Sequence, residues 1–217
     1  MTLQLYYGEH PVREVRAVYD DISVRVYQTF SNNIALELLA HQKLVPPFSF
    51  MRNLTWIKPS FLWTMKRTHW GEYSEIAING SHGVGRGEST VLSITVNRIW
   101  FDTVLRTSAV INREHFRHMS LPDWRRRCDE ALSFVQWDPE KDLGGRCRPY
   151  RAIQIGLKPK ALAQYSEAIL RIEPMTATIR NVSEAKGEQA KIAQLPDEHV
   201  YPTDEIMRVN LIMQTSE

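Results

Sequence analysis

The stretch Leu54–Trp70, LTWIKPSFLWTMKRTHW, leaves this chain the fewest ways to fold. Within seventeen residues it gathers three of the six tryptophans (Trp56, Trp63, Trp70) and three cations (Lys58, Lys66, Arg67). Leu54 to Ile57 reads as a short apolar strand, Lys58-Pro59-Ser60 turns the chain, and a helix follows. Pro59 suits the cap or first turn of that helix, where a missing N–H costs nothing. A polar residue at such a strand-to-helix junction points into a cleft, because backbone N–H groups and side chains converge there on anions. Lys58 is therefore a candidate site residue. Trp63 and Trp70 lie seven apart, so on one continuous helix they share a face, which favours core packing over ligand contact.

A chain of 217 residues with 43% hydrophobic content can bury a sizeable core. We expect one domain over residues 1–195 and a C-terminal tail of uncertain order over 196–217. A formal charge of +2 predicts no general affinity for nucleic acid, so any basic site must be local. Two cysteines, Cys128 and Cys147, make no disulfide framework, and a reduced, cytoplasmic protein is the expectation. Charges interrupt the N-terminal stretch where a secretory signal needs an apolar run, and no eighteen apolar residues follow one another. His115 and His118 sit three apart, but no third ligand follows at a useful distance, so no metal is predicted. Cys128 lies among arginines that could lower its pKa, although the apolar side of a helix is its plainer role.

The rest of the chain alternates short strands with short helices. In VREVRAVYDD, Arg13, Arg16 and Tyr19 recur every three residues and would neighbour one another on a helical turn. Ile22–Phe30 alternates apolar and polar residues as a strand does. Ser31 can cap a helix from Asn32 to about His41, with Ile34, Ala35, Leu38 and Leu39 inward. Five of the ten glycines fall between Gly71 and Gly87, which reads as a mobile loop, either folding over a cleft or an ordinary flexible insertion. Its Gly83–Gly87 run lacks the Gly-Lys-Ser/Thr ending of a phosphate loop. Val91–Val96 is an apolar strand, followed by a helix from Arg98 to Thr107 with Ile99, Trp100, Val104 and Leu105 inward. A basic helix spans Pro122–Leu132, where three consecutive arginines splay instead of forming a patch. Ser133–Trp137 is a strand closed by the turn signal Asp138-Pro139, and Tyr150–Leu157 is its hairpin partner. Helices over Lys158–Ile169 and Met175–Gly187 flank a strand at Leu170–Pro174. This order predicts an α+β fold, and the missing GxGxxG argues against a dinucleotide-binding Rossmann domain.

The blocks VREVRAVYDD, VYQTFSNNIA, LVPPFSFMR, TWIKPSFLWTMKRTHWG, VQWDPEKD and PYRAIQIGL identify the chain as resembling the family catalogued as domain of unknown function 4291. They cover roughly residues 13–174. Members typically read Arg-Met before TWIKPSFLW, where this chain has Asn53-Leu54, and the 71–90 loop is longer than usual. A more distant likeness is to ADP-ribosyltransferase-like folds, which hold NAD in a cleft between two small mixed or antiparallel sheets flanked by helices. That likeness implies that VYQTF is the first cleft strand, with Arg25, Tyr27 and Gln28 near the nicotinamide, and that TWIK supplies an aromatic wall and a cation for the pyrophosphate. Such enzymes carry a glutamate on a late strand, where YRAIQIGL offers Gln154. A neutral amide cannot balance developing positive charge as a carboxylate does.

Two functions follow as expectations. The first is an enzyme acting on NAD or another nucleotide-like anion, by glycosyl or ADP-ribosyl transfer. Arg25, Tyr27, Trp56, Arg67 and Arg151 would bind the ligand, and Gln28, Lys58, Gln154, Asp138 and Glu140 would stand at the chemistry. Guanidinium groups suit phosphates and indole faces suit bases and cations, while Asp138 and Glu140 are the best carboxylates for acid–base work. The alternative for those two acids is a solvated turn, and for the indoles the core. The second function is a non-catalytic module binding nucleic acid or an anionic metabolite through the same cations and aromatics.

Overall fold

The computed structural model describes residues 12–44, 54–71, 73–78, 81–86, 89–111 and 120–213, with 73–78 and 81–86 given by their backbone. The described residues open with β1 (Val12–Arg13) and β2 (Arg16–Ala17), where the three-residue spacing suggested a helical turn. Both strands pair with segments far away in sequence, partners that the three-residue spacing of Arg13, Arg16 and Tyr19 could not announce. β3 (Ser23–Ser31) alternates as expected and leads into α1 (Asn32–His41), where Ala35 and Leu38 are buried.

β4 (Thr55–Ile57) and α2 (Phe61–Arg67) form the expected strand and helix. Ser60 caps α2 in place of Pro59, its Oγ accepting the Trp63 N–H at 3.2 Å. The helix ends at Arg67, and His69 (φ 49°) and Trp70 (φ 60°) then turn left-handed. Trp70 therefore leaves the Trp63 face and packs edge-on against Phe61 instead, 6.3 Å between ring centres. The glycine-rich stretch, expected as a loop, is a hairpin of β5 (Tyr73–Ile78) and β6 (Ser81–Arg86), with Gly83 and Gly85 inside β6.

β7 (Ser89–Asn97) and α3 (Arg98–Arg106) follow, and Asn97 caps α3 through the Trp100 N–H. Phe101 takes the inward position that Ile99 was expected to fill; Ile99 is 75% exposed. Next come β8 (Ser108–Val110), α4 (Leu121–Glu130), β9 (Ser133–Lys141) and β10 (Cys147–Leu157). The histidine pair His115 and His118 lies outside the described residues. β9 runs straight through Asp138-Pro139, which is not a turn. Pro139 has no N–H for the ladder, and it sits opposite Arg151 where the register with β10 shifts. The chain ends with α5 (Pro159–Ala168), β11 (Ile169–Pro174), α6 (Thr176–Glu184), α7 (Glu188–Ile192), β12 (His199–Val200) and α8 (Glu205–Leu211).

Two main sheets organise these elements into an α+β fold. One has the order β1-β10-β9-β8, with β4 also on β10; it is mixed, since β1 and β8 run parallel to their neighbours. The other is antiparallel, β11-β7-β3. They meet at one two-way bridge: the Tyr27 N–H donates to the Lys58 carbonyl at 2.7 Å and the Lys58 N–H returns to Tyr27 at 3.2 Å.

One face of both sheets builds a common core. Val24, Val26, Ile94, Val135, Trp137, Ile153 and Ile155 pack there with Trp100 and Phe101 of α3 and Tyr165 of α5. Residues beyond 195, expected to be a tail of uncertain order, close this core: Tyr201, Met207 and Leu211 are buried, and Trp137 Nε1 donates to the Leu211 carbonyl at 2.9 Å. On the opposite face α2 lies across the meeting of the sheets, touching both β9 and β3. Phe61 and Met65 of α2 bury against Tyr27, Val91 and Met175. Each such side chain contributes about 1.5–3 kcal/mol by leaving water, so α2 is anchored by packing even though it is short. Among the described residues no helix is long and apolar enough to cross a membrane.

Candidate site at the meeting of the two sheets

Strand alternation sorts β9 into two faces. Val135 and Trp137 enter the core, while Gln136, Asp138 and Glu140 face α2. Across β10, Gln154 sits opposite Gln136 and Ala152 opposite Asp138. Both amides turn to the acid: Gln136 Nε2 donates to Asp138 Oδ1 at 3.1 Å and Gln154 Nε2 donates to Oδ2 at 3.0 Å. Burial pushes the Asp138 carboxyl above its usual range, opposed by the Gln136 hydrogen bond and the positive charges of Arg67, Arg151 and Lys58. Two donors aimed at one carboxyl favour its ionised, accepting form. Gln154, expected at the chemistry, is thereby a residue that orients Asp138.

Cations and indoles border this group. Lys58 is fully buried with its ammonium 5.6 Å from the Trp63 ring centre, a cation–π distance. Trp56 lies flat along β10 because position 156 is glycine; a Cβ there would come within 3.1 Å of the indole and of Leu54. Arg67 is exposed at the end of α2, and Arg151 donates to the Trp137 carbonyl at 3.0 Å. Trp56 and Trp63 are 7% and 8% exposed, so they wall the site from beneath and offer no open stacking face.

A second polar group lies at the start of α2. The Ser60 hydroxyl donates to Glu140 Oε2 at 2.6 Å, and the Phe61 N–H donates to Glu198 Oε1 at 2.6 Å. Burial raises both acids, Glu198 to about 8, where the negative charge of Glu140 adds to the effect against the Phe61 hydrogen bond and the guanidinium groups of Arg16 and Arg25. Glu198 keeps some exposure as a residue, but its carboxyl end is the buried part. Arg16 pairs with Glu14 at 2.8 Å and lies over the Tyr150 ring at 5.0 Å. Tyr27 is fully buried, and among the described residues neither its hydroxyl nor Arg25 Nε has a hydrogen-bond partner. Burial and the Glu198 charge drive the phenol pKa well up, against the charge and close approach of the Arg25 side chain.

The structure thus brings Lys58, Trp56, Arg67, Asp138 and Gln154 around one side of α2, and Arg25, Tyr27 and Glu140 around its start, while Arg151 alternates with Ile153 onto the other face of β10 and acts on Asp138 through its charge alone. Gln28 joins neither. It points into the core, donating to Thr55 Oγ1 at 3.0 Å and accepting from the Tyr165 hydroxyl at 2.9 Å. The reading of Asp138 and Glu140 as solvated turn acids does not hold, since both lie within β9 and Glu140 is 4% exposed. The sequence reading missed Gln136, Ser60, Arg16 and Glu198. Gln136 was legible in the alternation of VQWDPEK once Asp-Pro is not taken as a turn, whereas nothing local marks Glu198. Burial also overrides the arginines near Cys128, raising its thiol pKa. Among the described residues no three metal-ligating side chains gather.

The molecule is therefore a mixed α+β protein with a polar, cation-bordered site where two sheets meet under a short helix. A family model described as Domain of unknown function (DUF4291) matches residues 14–201, and the chain belongs to that family. No curated protein matches it.

Proposed function

We propose that the meeting of the sheets binds a small phosphorylated, nucleotide-like ligand, with NAD the first to test. The observation that carries this reading is Asp138, a partly exposed carboxyl oriented by two amides in the field of Lys58, Arg67 and Arg151. The charges of Arg67, Arg151 and Lys58 act on this carboxylate and favour an anionic guest, and the exposed Arg67 has the fork geometry that suits phosphate oxygens. Two sheets with a ligand between them is also the plan of the ADP-ribosyltransferase-like folds, which makes transfer from the ribose of NAD the reaction to assay. In that reaction the bond from ribose C1 to nicotinamide breaks, nicotinamide leaves as a neutral molecule, and a bond from the acceptor to C1 forms. The acceptor's proton passes to Asp138, whose two amide donors hold it in the accepting form.

The test is a thermal-shift and calorimetric series with NAD, ADP-ribose, ADP and a short RNA, on the parent and on Arg67→Ala. Arg67 is exposed, so its loss leaves the fold intact. The expected result is one-to-one nucleotide binding that weakens about tenfold in Arg67→Ala, the loss of one charge-assisted contact. No stabilisation by any nucleotide defeats the reading. RNA binding that collapses with added salt moves the protein to the class of polynucleotide binders.

A further inference from the structure

The group at the start of α2 has polar capacity that the fold does not use. Tyr27 is fully buried with an unpartnered hydroxyl, Arg25 Nε is buried and unpartnered, and Glu198 gives only its Oε1 to the described residues. A buried hydroxyl or guanidinium N–H without a partner costs about 1–3 kcal/mol, so its persistence calls for an occupant that satisfies it. These groups lie together: Arg25 and Tyr27 are two apart on one face of β3, the Tyr27 ring packs on Phe61 at 5.5 Å, and the Phe61 N–H donates to Glu198 at 2.6 Å. Arg16, Arg25, Tyr150 and Glu198, which surround these atoms, are all partly exposed.

Elimination narrows the guest. An anion is all acceptor and would meet Glu140, whose two oxygens already accept from Ser60 and Lys141. A cation is all donor and would meet Arg16 and Arg25. A neutral group that both donates and accepts at adjacent positions fits, giving protons to carboxyl oxygens and taking them from Tyr27 and Arg25. Neighbouring hydroxyl groups on a sugar ring have this property. Tyr27 connects this group to the anionic side directly, because its backbone is bridged to that of Lys58.

We propose that Tyr27, Arg25 and Glu198 form a subsite for a vicinal diol, so that the ligand of the sheet junction is a ribose-bearing phosphate with both ring hydroxyls present. This rests on the anionic site argued above and adds what the anion must carry. Glu140 and Ser60 hold one wall of the subsite, since each satisfies the other and neither needs the guest.

Calorimetry with ADP, 2′-deoxy-ADP, 2′,3′-dideoxy-ADP and pyrophosphate tests it on the parent, on Tyr27→Phe and on Glu198→Gln. Tyr27→Phe removes one oxygen and keeps the ring against Phe61, and Glu198→Gln keeps an acceptor for the Phe61 N–H, so at least one variant folds. The parent is expected to bind ADP at least about tenfold more tightly than the dideoxy compound, as sites built for hydroxyl groups discriminate against their loss. In each variant that ratio is expected to fall below about threefold. Equal binding of ADP and dideoxy-ADP by the parent overturns the diol subsite while leaving the anionic site standing. An undiminished ratio in both variants overturns it equally, by placing the hydroxyls elsewhere. If neither pyrophosphate nor ADP binds, the anionic site itself is wrong and the subsite falls with it.

Discussion

Tyr27 and Gln28 are neighbours on β3, both buried, both polar, and they end in opposite circumstances. Gln28 faces the core, where Thr55 and Tyr165 engage both ends of its amide, and Tyr165 in turn stacks on Trp100 at 5.1 Å. Tyr27 faces the meeting of the sheets, where its ring is packed against Phe61 at 5.5 Å but its hydroxyl is left unmet. One residue along a strand changes the face, and the face decides whether a polar atom is spent on the fold or held for something else. Burial by itself does not separate structural from functional polar groups; hydrogen-bond satisfaction does.

The largest effect expected on this comparison comes from Gln28→Ala, which leaves the hydroxyls of Thr55 and Tyr165 without their partner and opens a small void. It is expected to cost about 2–4 kcal/mol in denaturant unfolding. A cost under about 0.5 kcal/mol, within the range of a bland surface change, would erase the distinction between the two faces.

Acidity sharpens the same contrast, because only the Tyr27 side carries a raised carboxyl next to a second acid. Glu198 titrates near 8 in the fold against 4.5 for an ordinary glutamate, so between those values the folded chain binds more protons than the unfolded one. Stability must then fall as pH rises through that window and level off above about 8. Glu198→Gln is expected to flatten part of this decline and to gain about 1–2 kcal/mol over the parent at pH 8, discounted for the partial exposure of the residue. Parallel stability curves for parent and variant would show that Glu198 is not held protonated.

The smallest effect is the most direct comparison. Tyr165→Phe removes a hydroxyl that Gln28 needs and is expected to cost about 1–2 kcal/mol. Tyr27→Phe removes one that nothing in the fold uses, and is expected to leave stability unchanged or raise it by up to about 1 kcal/mol. Equal losses in the two variants, measured by chemical unfolding, would mean that the fold depends on the Tyr27 hydroxyl after all.

Much of the fold was legible in local pattern. The alternation of Ile22–Phe30, the hairpin of SFVQW with YRAIQIGL and the strand-to-helix passage through Lys58-Pro59-Ser60 all follow from spacing and cap chemistry, and all are present. Local pattern misled where a distant partner outweighed it. Arg13 and Arg16 became strands because β10 and β12 were there to pair with them, and Asp138-Pro139 stayed in a strand because β10 shifts register beside it. The candidate site divides the same way. Lys58 and Asp138 were named from their types and places and Gln154 from the likeness to ADP-ribosyltransferase-like folds, whereas Glu198 stands in PDEHV with no sign of burial and comes to α2 only because β12 returns to β2.

The sequence by itself determined which residues carry charge, which strands alternate and where helices begin, since those depend on contacts within a few residues. Only the tertiary structure decided which face of β3 is spent and which is open, and which acids share the start of α2. Hydrogen-bond satisfaction and desolvation depend on every neighbour in space, and those neighbours come from positions up to 199 residues apart, as Arg13 and Ile212 do.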